Sequence, residues 1–193
     1  LLTSIREVYH LDVKERRKIL SRAQTFFVES FVPKHVENVR KLTSVKKFKI
    51  NPFLVHYLAW FLDGKDDPKS VARALILPRV LGTSVNTTFG SQMQEFCSKE
   101  LKAPGSTTTG IDVEFIDQID GDKKYCQLKA GPNTINGDDV TTIRGKFRNV
   151  INLSKANHAR LSNDQLIIGV AYGTPGELSA HYRKLKQDFP VYV

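Results

Sequence analysis

The sequence predicts an α+β protein, with a helical first part followed by a smaller core in which helices and strands alternate. Three observations carry this. Up to about Leu81, apolar residues recur at helical spacing between Asp, Asn, Pro and Gly punctuation. From Gly110 to Asn133 apolar and polar residues alternate with a period of two, as on a half-buried hairpin. "DQLIIGVAYG" is a short apolar run of strand type between two helical patterns. The order in the second half is therefore α, β, β, α, β, α. The expected division is a helical region over 1–82, a lobe for dimerisation or DNA contact, and a core over 83–193.

Each helix has its own signals. "DVKERRKILSRAQTFF" begins at Asp12 as N-cap and is expected to stop or kink at Pro33. "NPFLVHYLAWFLDG" has Pro52 at its start, Gly64 at its end and an almost wholly apolar middle. Such a helix belongs in a core or at a subunit interface. "DDPKSVARALILPRVLG" starts after Asp66 or Asp67 and is expected to stop at Pro78. A helix over Phe89 to Leu101 has Phe89, Met93, Phe96 and Cys97 as its inner stripe. "DDVTTIRGKFRNVINLSKA" has acids at its start and cations further along, which suits the helix dipole. "GELSAHYRKLKQD" is the last helix.

Composition narrows the class of partner. The chain has 193 residues, 40% of them hydrophobic, enough for a real core. The formal charge is +9, from 29 Lys+Arg against 20 Asp+Glu. This excess points to a polyanion, nucleic acid before an anionic membrane. A basic surface that binds nothing is the plainer alternative. No apolar run approaches the roughly 20 residues that cross a bilayer, so no membrane partner is expected. The two cysteines, Cys97 and Cys126, lack metal-ligand spacing and read as buried free thiols, which suits a reducing, cytoplasmic compartment. The five histidines show no ligand spacing either.

The stretch "GIDVEFIDQIDGDKKYCQLKAGPN" carries the chemistry. Ile111, Val113 and Phe115 form the apolar set of the first arm, which leaves Asp112 and Glu114 on the other face. Cys126, Leu128 and Ala130 do the same on the second arm, which leaves Tyr125, Gln127 and Lys129. Asp120-Gly121 suits a two-residue type I′ turn. That turn puts Glu114 opposite Gln127 and Asp112 opposite Lys129, with Cβ atoms about 5 Å apart. Oxygen ligands of this kind suit Mg²⁺ and hydrolysis of a phosphodiester. Asp112, the side-chain carbonyl of Gln127 and the backbone carbonyl of Leu128 are the candidate ligands. Glu114 is a supporting group or a ligand to a second metal. Lys129 is placed to hold the attacking water and offset charge in the transition state. The alternative is a solvated face with ion pairs such as Asp112 with Lys129.

"GIDVEF…YCQLKAG" resembles the PD-(D/E)XK nuclease motif, and the longer phrase "GTS…FG…GIDVEF…QLKAGPNTIN" resembles type II restriction endonucleases. Asp112 matches the motif's Asp and Lys129 its Lys. Gln127 departs from it, standing where the family has Asp or Glu. The resemblance covers roughly Thr83 to Lys186. It implies a restriction-endonuclease-like core, a central mixed sheet flanked by helices. It implies a Mg²⁺-dependent, sequence-specific endodeoxyribonuclease acting on double-stranded DNA inside a prokaryotic-type cell. Glu95, on the preceding helix, is then a second source of the missing carboxylate. A homodimer is implied, since two-fold symmetry matches a palindromic site, with the apolar helix around Trp60 as part of its interface.

Other residues near the motif are candidates for DNA contact. Asn133 and Asn136 follow Lys129 closely and suit a base edge or a phosphate; a plain turn is the alternative. Thr141, Arg144 and Arg148 lie on the next helix, where the two arginines share a face. "STTT", Ser106 to Thr109, is a polar loop before the motif. Two other readings stay open: a repair or junction-cleaving nuclease, and a DNA-binding module without catalysis, which Gln127 makes credible.

Overall fold

The computed structural model describes residues 12–101, 103–118 and 120–193. In chain order the elements are α1 (Val13–Phe26), α2 (Val32–Arg40), α3 (Pro52–Asp63), α4 (Pro68–Pro78) and α5 (Val85–Glu100). Strands β1 (Val113–Ile116) and β2 (Lys123–Lys129) follow, then α6 (Gly137–Ala156), β3 (Leu166–Val170), α7 (Ala180–Leu185) and β4 (Val191–Tyr192). The chain is α+β. It divides into two compact units, one made of Phe27–Ser91 and the other of the described residues up to Phe26 together with Gln92–Val193. Gly82 lies inside the first of these, within the π-helical turn Arg79–Ser84.

The unit over Phe27–Ser91 is helical, and its ends follow the sequence signals. Asn51 caps α3, its side chain accepting from the N–H groups of Phe53 and Leu54 at 3.1 and 3.2 Å. Gly64 ends α3 in the left-handed region, at φ 67°. Asp67 caps α4 through the Ser70 N–H at 2.8 Å. Pro78 is the last residue of its α-helix, as the sequence predicted, whereas the helix before Pro33 already changes to π turns at Phe27. Pro33 sits in the first turn of α2, directly after the π turn Phe27–Phe31, where the wider turns accommodate its missing N–H. Pro78 ends α4, and the chain runs on through the wider turns of Arg79–Ser84 into α5, which begins at Val85 rather than near Phe89. Val55 and Ala59 of α3 pack on Ala74 of α4, while the opposite side of α3 is open.

The other unit is built on a four-stranded mixed sheet of order β1-β2-β3-β4. β1 and β2 are antiparallel, and β2, β3 and β4 run parallel. The long helix α6 provides the crossover from β2 to β3. A capping box at Asn136 and Asp139 starts it. Ile143, Phe147 and Val150 of α6 pack with Leu166 and Ile168 of β3 and with Tyr182 and Leu185 of α7. On the other side of the sheet Cys97 of α5 meets Val113, Cys126 and Ile167. Both cysteines are free and buried, and burial pushes the Cys126 thiol up to about 12. The two-residue strand β4 lay in no sequence signal. It forms because Val191 pairs with Ile168 of β3.

The hairpin register differs from the expected one. Val113 pairs with Cys126 and Glu114 with Tyr125, two residues away from the Glu114–Gln127 alignment. The cause is the turn. Gly121 does take the positive φ that a type I′ turn asks of it, at 74°, but Asp120 and Gly121 are not the whole loop. Asp117 and Asp122 close a longer loop instead, the Asp117 N–H donating to the Asp122 carbonyl at 2.9 Å. The Asp120 side chain accepts from the Asp122 N–H at 2.9 Å and pairs with the buried Lys124. A slip of two residues leaves every side chain on its expected face and changes only its neighbours.

Candidate active site at the end of the hairpin

Asp112 precedes β1, and its N–H donates to the Cys126 carbonyl at 2.9 Å. Its carboxylate has two donors. Oδ2 accepts from the Leu128 N–H at 2.7 Å and Oδ1 from the side-chain amide of Gln94, on α5, at 2.8 Å. The acid therefore touches the middle residue of the Gln127-Leu128-Lys129 step. Asp112 and Lys129 do not form an ion pair, and among the described residues Lys129 has no salt-bridge partner. The Lys129 main chain is fixed, its carbonyl accepting from the Ala171 N–H at 2.9 Å.

Gln127 is 2% exposed. Its Nε2 donates to the Gly110 carbonyl, which assigns the amide's orientation, since the reverse would set two oxygens together. Among the described residues its Oε1 is buried without a hydrogen-bond partner. A buried carbonyl oxygen left in this state costs about 1–3 kcal/mol, and a cation removes that cost. The carboxylate of Asp112, Oε1 of Gln127 and the Leu128 carbonyl are hard oxygen donors of the kind Mg²⁺ takes, with water and substrate phosphate completing its shell. The residues present thus fit a single hard divalent ion, with one negative charge among them. Among the described residues no group of three or more His, Cys, Asp or Glu is placed to hold a metal.

The other acids are differently employed. Glu114 pairs with Lys123 at 2.5 Å and accepts from the hydroxyls of Ser106 and of Thr108, the latter at 3.1 Å. Burial alone would raise its pKa, but the bonds from Lys123, Ser106 and Thr108 together hold it below the ordinary glutamate range. Glu114 therefore pins the polar "STTT" loop to β1. Glu95 accepts from Lys99 at 2.5 Å and from Gln92 at 2.8 Å, both on its own helix. The residue of α5 that reaches Asp112 is its neighbour Gln94.

The candidate DNA-contact residues separate into engaged and open groups. The Asn136 side chain is taken by the helix cap, accepting from the Asp139 N–H at 3.0 Å. Arg144 binds Asp188 at 2.6 Å and the Lys184 carbonyl at 3.3 Å. Asn133, Thr141 and Arg148 are exposed. Two residues outside the candidate set lie closer to the site. The stem of Lys146 covers Gly110, so a Cβ there would stand 2.9 Å from it. Gly110 has φ 86° and supplies the carbonyl that holds Gln127. Tyr172, 61% exposed, lies over Gly131, two residues beyond Lys129; a Cβ at Gly131 would stand 2.5 Å from its ring. The sequence signal for both was a glycine next to the motif, which marks close approach by something unnamed.

A cavity of about 860 Å³ opens on the α5 side of the sheet, lined by residues such as Cys97, Phe115, Leu128 and Tyr192. Asp112, Gln127 and Lys129 do not line it. No helix among the described residues is long and apolar enough to cross a membrane. Compared with protein-family models and with curated proteins, the chain matches none.

Proposed function

We propose that the chain is a Mg²⁺-dependent endodeoxyribonuclease of the PD-(D/E)XK type, acting on double-stranded DNA as a type II restriction enzyme. The observation that carries this reading is the contact of Asp112 with Leu128, which stands in sequence between Gln127, whose buried Oε1 has no hydrogen-bond partner among the described residues, and Lys129, which has no salt-bridge partner among them. Asp112, Gln127 and the Leu128 carbonyl would hold the ion. When bound, it would polarise a phosphoryl oxygen and acidify a water. Lys129 orients the attacking water and offsets charge on the phosphorus as the bond to the leaving oxygen lengthens. Gln94 and the Leu128 N–H fix the Asp112 carboxylate, so little reorganisation is needed at the moment of reaction. The +9 charge draws the DNA in, with affinity that falls steeply as salt rises.

One observation favours a second reading, a DNA-binding module without catalysis. The second acidic position of the motif holds a neutral amide already bonded to Gly110. Digestion of plasmid and phage DNA with Mg²⁺ separates the two. Discrete fragments from the wild type, lost in Asp112→Asn and Lys129→Ala, are expected of the nuclease. Salt-sensitive DNA binding without cleavage in all three proteins would leave the binding module. Neither cleavage nor binding would overturn both.

A further inference from the structure

We infer that a cleft in the unit Phe27–Ser91 binds a small amphipathic anion, an apolar chain that ends in a single free carboxylate. The cleft holds about 490 Å³, within the range of small-molecule sites, and lies where the start of α3 meets the end of α4. Val55 and Leu58 of α3 and Ala74 and Leu75 of α4 make its floor apolar. Ile50 and Leu54 also line it and are 39% and 52% exposed, so an apolar body laid here removes their surface from water. The rim is cationic. Lys47 and Lys49 come from the "KKFK" stretch before α3, and Arg79 opens the π turn after α4. No Asp or Glu lines the cleft among the described residues.

Charge chooses the occupant. Lys47 donates to the main-chain carbonyl of Lys41, a neutral partner. Among the described residues the side chains of Lys49 and Arg79 have no hydrogen-bond or ion-pair partner. The acids of α3, α4 and the loop between them are engaged elsewhere: Asp63 with Arg73 at 2.6 Å, Asp66 with His56 at 2.7 Å and Asp67 with Lys65 at 2.8 Å. The rim cations therefore stand unneutralised beside an apolar floor, and a molecule with both halves answers both. A guanidinium fork takes a carboxylate through two parallel hydrogen bonds, and a lysine ammonium adds a charge-assisted one. Duplex DNA brings anions but no apolar body, and would leave the floor in water. A neutral hydrocarbon fills the floor and leaves the cations unanswered.

The inference is independent of the nuclease reading, because its test needs neither DNA nor metal. Isothermal titration of the whole chain with sodium octanoate is expected to show saturable binding at one site. From butyrate to octanoate the affinity should rise by up to about fourfold for each methylene removed from water. Octanol, with the body and no charge, and acetate, with the head and no body, should each bind at least about tenfold more weakly than octanoate. Lys49→Glu and Arg79→Glu should each weaken octanoate by about tenfold or more and leave octanol unchanged. Their far-UV spectra should match the wild type, since both residues are exposed; the ligand series needs no variant. No saturable binding of octanoate would overturn the inference, and so would an affinity independent of chain length, as expected of a plain anion-binding surface. Retention on anionic vesicles without octanoate binding in solution would overturn it as well. Octanoate binding that both glutamate variants keep would overturn the assignment to this cleft.

Discussion

The Asp112 carboxylate accepts the main-chain N–H of Leu128 at 2.7 Å, which ties the acid before β1 to the residue between Gln127 and Lys129 on β2. The same carboxylate takes the Gln94 amide from α5 at 2.8 Å. A side chain with these two partners has a structural part as well as its proposed catalytic one, and substitutions should separate them. Asp112→Ala leaves two donors without an acceptor, at a cost of about 1–3 kcal/mol for each that stays buried. Asp112→Asn keeps one acceptor oxygen. The expected outcome is that both lose cleavage by about 10²-fold or more, while only Asp112→Ala shows a clear fall in Tm. Equal Tm losses would mean that the charge, not the hydrogen bonds, holds the strand ends together.

Gln127→Glu tests the departure from the motif directly. In the wild type, Nε2 donates to the Gly110 carbonyl and Oε1 is unpartnered. A glutamate replaces that donor with an oxygen facing an oxygen, in a place that is 2% exposed. Without divalent ion the variant should melt below the wild type, by an amount worth about 1–3 kcal/mol. With Mg²⁺ it should recover more than the wild type gains, because its ligand set carries a second charge. Thermal melts with and without Mg²⁺ check this. A variant with the same Mg²⁺ response as the wild type would place the Gln127 side chain outside the metal's reach.

The cations of α6 should behave unequally. Arg144 is held by Asp188 at 2.6 Å and by the Lys184 carbonyl, and both partners of the ion pair are 40% exposed. Arg144→Ala should therefore cost at most about 1 kcal/mol of stability and change DNA affinity little. Lys146→Ala and Arg148→Ala should weaken DNA binding, each lowering the salt slope by about 1. Fluorescence anisotropy with labelled duplex over a salt series measures both quantities. A slope change at Arg144 as large as at Lys146 would mean that its ion pair opens to meet phosphate.

The alternation of the hairpin revealed which side chains share a face, and the α, β, β, α, β, α order of the second half was legible from periodicity alone. Partner choice across the hairpin was not. It depends on the length of the loop, which Asp117 and Asp122 close through their main chains, and the Asp120–Lys124 pair beside it needs the folded turn to exist first. Asp112 and Lys129 could be marked from residue type and spacing, whereas Gln94 and Lys146 could not. Their roles come from packing between elements distant in sequence, which leaves no local pattern. The same limit applies to α3. Its apolar middle was plain, but which side of it is buried was decided by α4, against which Val55, Leu58 and Ala59 pack. The π turn after Pro78 is a comparable case, since a proline forbids one hydrogen bond without forbidding a wider turn.

Glu114 is one of the carboxylates expected to make stability fall in acid. Its pKa is pulled below the ordinary range by Lys123, Ser106 and Thr108, against the opposing effect of burial. A carboxylate depressed in the folded state contributes stability above its unfolded pKa, and that contribution is lost as pH falls through the folded value. Lys123, raised chiefly by Glu114, contributes below its own unfolded pKa and loses this as pH rises through its higher folded value. The pair is therefore fully formed across neutral pH and fails at both extremes, first on the acid side for any ordinary buffer series. Glu114→Gln should flatten the acid limb of a Tm-against-pH curve and leave the Asp112 contacts intact. At neutral pH its carbonyl oxygen can still accept from Ser106 and Thr108, so hydrogen exchange there should change little while the bond to Lys123 is lost. An acid limb as steep in Glu114→Gln as in the wild type would assign the acid sensitivity to another carboxylate.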